Sequence, residues 1–106
     1  PAKAMHVGQL MKQRLEKMRD RFSMVGDIRG RGAMLAVALV KDRETKMPAA
    51  EETGAIVKEC WKNGLHILNC GVRGNNIRFL MPLVITDDQL KAGFDILEKA
   101  FEKYLK

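Results

Sequence analysis

Asn75-Asn76-Ile77-Arg78-Phe79-Leu80-Met81-Pro82-Leu83 reads as an apolar strand with one arginine at its centre. Alternation along a strand sends Ile77, Phe79 and Met81 to one face and Arg78 and Leu80 to the other, so the guanidinium emerges beside aliphatic neighbours. A guanidinium in that setting needs an anion, because an unpaired charge taken out of water costs several kcal/mol, roughly, and its planar fork matches a carboxylate or phosphate through two parallel hydrogen bonds. Two sources of that anion stay open at this point: an Asp or Glu of the same chain, or a ligand. Pro82 cannot donate to a ladder, so the strand is expected to end there or become an edge.

Outward from this strand, Leu65 to Asn69 reads as a short strand. It runs into Cys70-Gly71-Val72-Arg73-Gly74-Asn75-Asn76, a Gly- and Asn-rich reversal. Downstream, Thr86-Asp87-Asp88-Gln89 has the spacing of a capping box, and Leu90, Phe94, Leu97, Phe101 and Leu105 mark the buried stripe of a final helix. On that helix Asp87 and Lys91, Asp95 and Lys99, and Glu102 and Lys106 stand four apart, acid before base, as stabilising pairs do.

Upstream, Ala4, Val7, Met11, Leu15, Met18 and Phe22 recur at steps of three and four, the pattern of an amphipathic helix. Because this pattern starts directly at Pro1, the sequence is expected to be a piece of something longer. Met24 to Gly32 and Ala33 to Val40 read as a strand pair, the second buried on both faces or nearly so. Arg29-Gly30-Arg31-Gly32 admits a single RGG-type segment or an anion-binding nest, but two glycines between strands read first as the corner of a hairpin. Lys41 to Pro48 is a charged loop, and Ala50 to Asn63 a helix burying Ala55, Ile56, Cys60 and Trp61, stopped by Gly64. The fold class that follows is α+β, a single domain over residues 1–106: a small, mostly antiparallel sheet of three or four strands with three helices packed on it.

Bulk composition narrows the function classes. The 106 residues are 46% hydrophobic and 30% charged, enough for one core. No apolar run approaches the roughly 18 residues that cross a bilayer, and no signal peptide is visible, so no membrane partner is expected and a cytoplasmic location is. Cys60 and Cys70 lack a C-x-x-C and are expected to be free thiols; His66 and Cys70 have no second ligand pair, so no metal site is expected. The net charge of +6 is uneven: residues 1–22 carry six basic and two acidic side chains, residues 23–48 five and three, and the rest eight of each. Trp61, Tyr104 and the four Phe are scattered, which offers no platform for stacked bases and argues against a nucleic-acid partner.

Two blocks, Val25-Gly26-Asp27-Ile28-Arg29-Gly30-Arg31-Gly32-Ala33-Met34 and Gly74-Asn75-Asn76-Ile77-Arg78-Phe79-Leu80-Met81-Pro82-Leu83, together resemble the C-terminal small domain of class III, pyridoxal-phosphate-dependent aminotransferases, with the 4-aminobutyrate enzymes nearest. The resemblance extends over nearly the whole chain, including the helix start at Thr86. It implies the small domain of fold-type I enzymes, a parent that moves an amino group from 4-aminobutyrate or a similar ω-amino acid to a 2-oxo acid, and a homodimeric parent. Arg78 matches the family arginine that holds the substrate carboxylate, and Gly71 and Gly74 would shape the loop beside that site. The resemblance also implies that the Schiff-base lysine and the phosphate cup lie in a preceding large domain. No residue here is expected to be catalytic, no cofactor is expected on the isolated chain, and the isolated chain is expected to be inactive. The competing expectation is a self-standing basic domain that binds nucleic acid or an anionic metabolite.

Overall fold

The computed structural model describes residues 2–80 and 85–106. The elements, in chain order, are α1 (Ala2–Arg21), β1 (Val25–Arg31), β2 (Met34–Leu39), α2 (Ala50–Lys62), β3 (Leu68–Cys70), β4 (Asn76–Leu80) and α3 (Asp87–Tyr104). The four strands form one sheet in the order β1-β2-β4-β3, and every neighbouring pair is antiparallel. The three helices and the antiparallel sheet are those expected from the sequence. The expected end of the strand at Met81 and Pro82 lies outside the described residues.

Each element forms for a local reason that also fixes its buried face. Val7, Met11, Leu15 and Met18 make the stripe of α1, and Phe22 follows it into the core. The β1–β2 hairpin closes over two residues, Gly32 and Ala33, with Gly32 at φ +56°, a backbone region that residues with a Cβ rarely adopt. Arg29-Gly30-Arg31-Gly32 is therefore the end of a strand and a hairpin corner. Helix α3 begins with a complete capping box: the Gln89 N–H donates to Thr86 Oγ1 at 3.1 Å and the Thr86 N–H to Gln89 Oε1 at 2.9 Å. Leu90, Phe94, Leu97 and Phe101 of this helix are buried as its spacing requires. Phe101 meets Phe22 edge-on, and Phe94 stacks on Phe79 of β4, with 5.7 Å between ring centroids in both pairs. The second contact ties the helix to the strand that carries Arg78.

Three expectations are corrected. Strand β2 is buried on one face only: Leu35, Val37 and Leu39 point into the core, whereas Met34 is 64% exposed and Ala36 and Ala38 are partly exposed. The helices contact one face of the sheet and leave the other bare, and alanines at 36 and 38 make that exposure cheap. Trp61 is not core but 49% exposed, stacked on the His66 ring at 4.0 Å while its indole N–H donates to the Ile67 carbonyl at 2.8 Å. The buried position of that helix goes instead to Thr53, whose hydroxyl donates to the Ala49 carbonyl at 2.7 Å.

The third correction concerns the acid-before-base pairs expected along α3. Asp95 pairs with Lys91, in the reverse order, and with Arg14; Glu98 bridges Arg14 and Arg21; Glu102 pairs with Arg21; and Asp87 sits 3.0 Å from His6. The last helix thus spends its acids on α1, because the basic face of α1 lies alongside it. Burial raises the Glu98 carboxyl, but hydrogen bonds from Arg21 and Arg14 outweigh this and hold it below its ordinary value. An acid depressed in the folded state stabilises above its unfolded pKa, and that contribution is lost as pH falls through the lower, folded value. Glu98→Gln is therefore expected to cost about 1–2 kcal/mol at neutral pH. The gap to the parent should close as pH falls through the acid range, read from thermal midpoints in a pH series. A gap that persists unchanged at low pH would remove the charge pairing as its cause.

Candidate functional site

The uncovered face of the sheet is where the chemistry-bearing residues collect. Register decides which ones. Ala36 pairs with Arg29 on one side and Arg78 on the other, and Arg78 pairs with Leu68, so Arg29, Ala36, Arg78 and Leu68 form one row across all four strands. Directly paired residues share a face, and adjacent strands lie about 4.8 Å apart. The next row holds Asp27, Ala38, Asn76 and Cys70.

Arg78 points outward because its neighbours point in. Ile77 and Phe79 are 0% and 1% exposed, and the alternation they impose leaves residue 78 on the bare face, where it is exposed. No carboxylate among the described residues forms an ion pair with it, and the residues outside the description, Pro1, Met81, Pro82, Leu83 and Val84, carry none. Arg78 thus makes no intramolecular ion pair among the described residues. Arg29, one row-mate away, is held by Asp27 at 2.6 Å.

Gly71 and Gly74 form the reversal between β3 and β4, at φ +89° and +65°, closed by a bond from the Gly74 N–H to the Gly71 carbonyl at 3.1 Å. A Cβ on Gly71 would stand 2.4 Å from the Asn76 side-chain amide. The glycine thus lets the turn fold down beside Asn76, two residues before Arg78 on the same face. Asn75 does what sequence reasoning missed: buried at 7% exposure, it donates from Nδ2 to the Leu39 carbonyl at 2.9 Å, while the Leu39 N–H donates to the Asn75 carbonyl at 2.8 Å. It sews the start of β4 to the end of β2 and so sets the register that aims Arg78. A turn-forming asparagine was the only signal available in the sequence.

The other candidate groups stand apart from one another among the described residues. Cys60 and Cys70 are free; burial, with Glu59 nearby, pushes the Cys60 thiol up to about 11, far from a reactive thiolate. Among the described residues no cluster of three metal-ligating side chains exists, and His66 is occupied with Trp61. No described helix is long and apolar enough to cross a membrane.

A class III aminotransferase family model matches residues 2–101, and the chain belongs to that family. The family uses pyridoxal phosphate. The chain is 40% identical over 97 residues to a 5-aminovalerate aminotransferase of Pseudomonas aeruginosa, covering 92% of this chain and 23% of that protein. It is 42% identical over 97 residues to a 4-aminobutyrate aminotransferase of Mycobacterium leprae, covering 92% and 22%. Among solved structures it superposes on a pyridoxal-phosphate-bound amine transaminase from an uncultivated Pseudomonas species with a TM-score of 0.84 at 32% identity, over 98% of this chain and 23% of that one. The chain thus spans less than a quarter of the proteins it matches.

The residues present do not fit a cofactor site. A lysine that forms a Schiff base must be desolvated to react as a free amine, yet every lysine of this chain is exposed.

Proposed function

We propose that this chain is the substrate-side domain of a transaminase that moves the amino group of 4-aminobutyrate or a similar ω-amino acid to a 2-oxo acid, and that Arg78 holds the substrate carboxylate. The observation that carries this reading is the exposed Arg78 guanidinium on an uncovered sheet face in a chain whose own acids do not pair with it. A fork aimed at open space and flanked by the small Ala36 and the apolar Leu68 leaves room for a carboxylate and excludes little else.

Strand β2 supports the rest of the reading. Its run Met34-Leu35-Ala36-Val37-Ala38-Leu39 has the composition of a strand covered on both faces, and only one face is covered here. The large domain of the same protein is the cover this reading supplies. That domain would bring the cofactor lysine to the bare face, with pyridoxal phosphate serving as electron sink and amino carrier when bound. The tasks left to this chain are to bind the carboxylate, to orient the amino group through that one anchor, and to keep water off the row beside Arg78.

Arg78→Lys in the full-length protein tests the role. Lysine keeps the charge and loses the fork, so the specificity constant for 4-aminobutyrate is expected to drop about tenfold or more, chiefly through KM. Unchanged specificity constants for carboxylate-bearing donors would refute the assignment.

A further inference from the structure

Part of the basic surplus of residues 1–48 meets a further arginine, Arg73, at one place. Arg19 at the end of α1, Arg29 on β1, Arg43 and Lys46 in the 41–48 loop, and Arg73 in the β3–β4 turn converge on one cleft of about 520 Å³. These five cations come from four separate segments. Asp27 is the one carboxylate of the lining, and it is already held by Arg29 at 2.6 Å. Arg19, Lys46 and Arg73 enter no ion pair among the described residues. Like charges brought together without counter-charges repel, and folding is less favourable for it unless an anion joins them.

One of these cations is held by its side chain and another by its backbone. Arg43 donates from Nε to the Val25 carbonyl at 3.1 Å and from Nη2 to the carbonyls of Phe22, at 3.2 Å, and Arg19. It thereby closes the C-terminal end of α1, where a cation suits the helix dipole, and its Nη1 has no partner among the described residues. Lys46 takes φ +58°, uncommon for a residue with a Cβ, and is locked there by its N–H donating to the Asp42 carbonyl at 2.8 Å. Next to it the Lys41 N–H donates to the Met47 carbonyl at 2.7 Å. Gly26 and Ala38 in its lining are small, so an occupant can lie close to the backbone there.

We propose that this cleft binds a small phosphorylated metabolite with two or more negative charges, on the Arg78 face of the sheet but without Arg78 in its lining, at an end of that face which the covering domain leaves open. A planar carboxylate satisfies one guanidinium fork, whereas the oxygens of phosphate groups accept from donors on several sides at once, which is what cations converging from four segments supply. The volume suits a compact metabolite. A nucleic-acid strand would need an open track and stacking surfaces, and the cleft has no aromatic ring in its lining.

The test is calorimetric titration of inorganic pyrophosphate into the full-length, cofactor-saturated protein, with citrate at equal ionic strength as the carboxylate counterpart. Pyrophosphate is expected to bind at least about tenfold more tightly than citrate, and Arg73→Ala and Lys46→Ala are each expected to weaken it about tenfold or more. Lys99→Ala, which removes one exposed charge from α3, should leave that affinity unchanged. Arg43 is left intact because its loss would free three backbone carbonyls and confound binding with folding. An absence of binding, equal affinity for citrate, or an equal loss in Lys99→Ala would each overturn the proposal. None of these outcomes bears on Arg78, whose test is the specificity constant for the amino donor.

Discussion

Gly8→Ala is expected to remove at least about 3 kcal/mol of stability, enough to leave many domains of this size largely unfolded at physiological temperature. Helix α1 crosses the β1–β2 corner so closely that a Cβ on Gly8 would lie 2.0 Å from the Gly32 carbonyl oxygen, 2.4 Å from its carbon and 2.8 Å from its Cα. All three are backbone atoms, so no side chain can swing aside. Gly32 in turn is pinned at positive φ in the two-residue corner. Either the helix lifts off the hairpin, exposing Val7, Met11 and Leu15, or the hairpin loses its turn. Gly54→Ala is the matched control, because a Cβ there meets nothing within 4 Å and the residue sits inside α2; it should gain about 0.5–1 kcal/mol from helix propensity. Urea midpoints of the two variants separate by the sum of the effects divided by the m-value. A Gly8→Ala midpoint at or above the parent's would mean that α1 does not approach the corner as described.

What the sequence makes legible here follows from periodicity. Stripes at steps of three and four place α1 and α3 and their buried residues, and the Thr86–Gln89 spacing finds the start of α3 because a capping box is a local, short-range device. Alternation in 76–80 is enough to send Arg78 to the opposite face from Phe79. What fails is anything that depends on which neighbour an element meets. Asp95 and Glu102 sit at good spacing for Lys99 and Lys106 on their own helix, yet Asp95 turns to Lys91 and to Arg14 of α1 and Glu102 to Arg21, and no local rule contains that packing. Trp61 has the right phase for the α2 stripe and still lies outside, since its ring finds His66 and the Ile67 carbonyl at the edge of the sheet.

The site divides in the same way. Arg78 is visible as an arginine out of keeping with its strand, and the two glycine turns are visible as turns. Asn75 is not visible as the residue that sets the register, because its bond to the Leu39 carbonyl joins positions 36 apart in the chain. The basic cleft is legible only as an excess of charge over residues 1–48. Its convergence needs the sheet to bring Arg73 alongside Arg19 and Lys46.

The 106-residue chain on its own is expected to show no transamination above that of free pyridoxal phosphate, with 4-aminobutyrate as donor and a 2-oxo acid as acceptor. Two shortfalls combine. Every lysine is exposed, and those at 41, 91 and 103 are tied to carboxylates, so none is enclosed as a lysine that captures the cofactor aldehyde is. Arg78, meanwhile, faces water on the bare side of the sheet, where a lone ion pair contributes about 1 kcal/mol or less and a carboxylate is captured only weakly. Covering that face with a second domain lowers the local dielectric and strengthens the same fork without changing a residue of it. The measurement is amino-group transfer by the isolated chain beside the full-length protein, with the absorbance of a lysine-bound cofactor followed in both. Turnover by the isolated chain would place a reactive lysine on an exposed face and would remove the need for a second domain in the reaction. Turnover confined to the full-length protein, and diminished there by Arg78→Lys, would fit the proposed division in which this chain anchors the carboxylate and a second domain performs the chemistry.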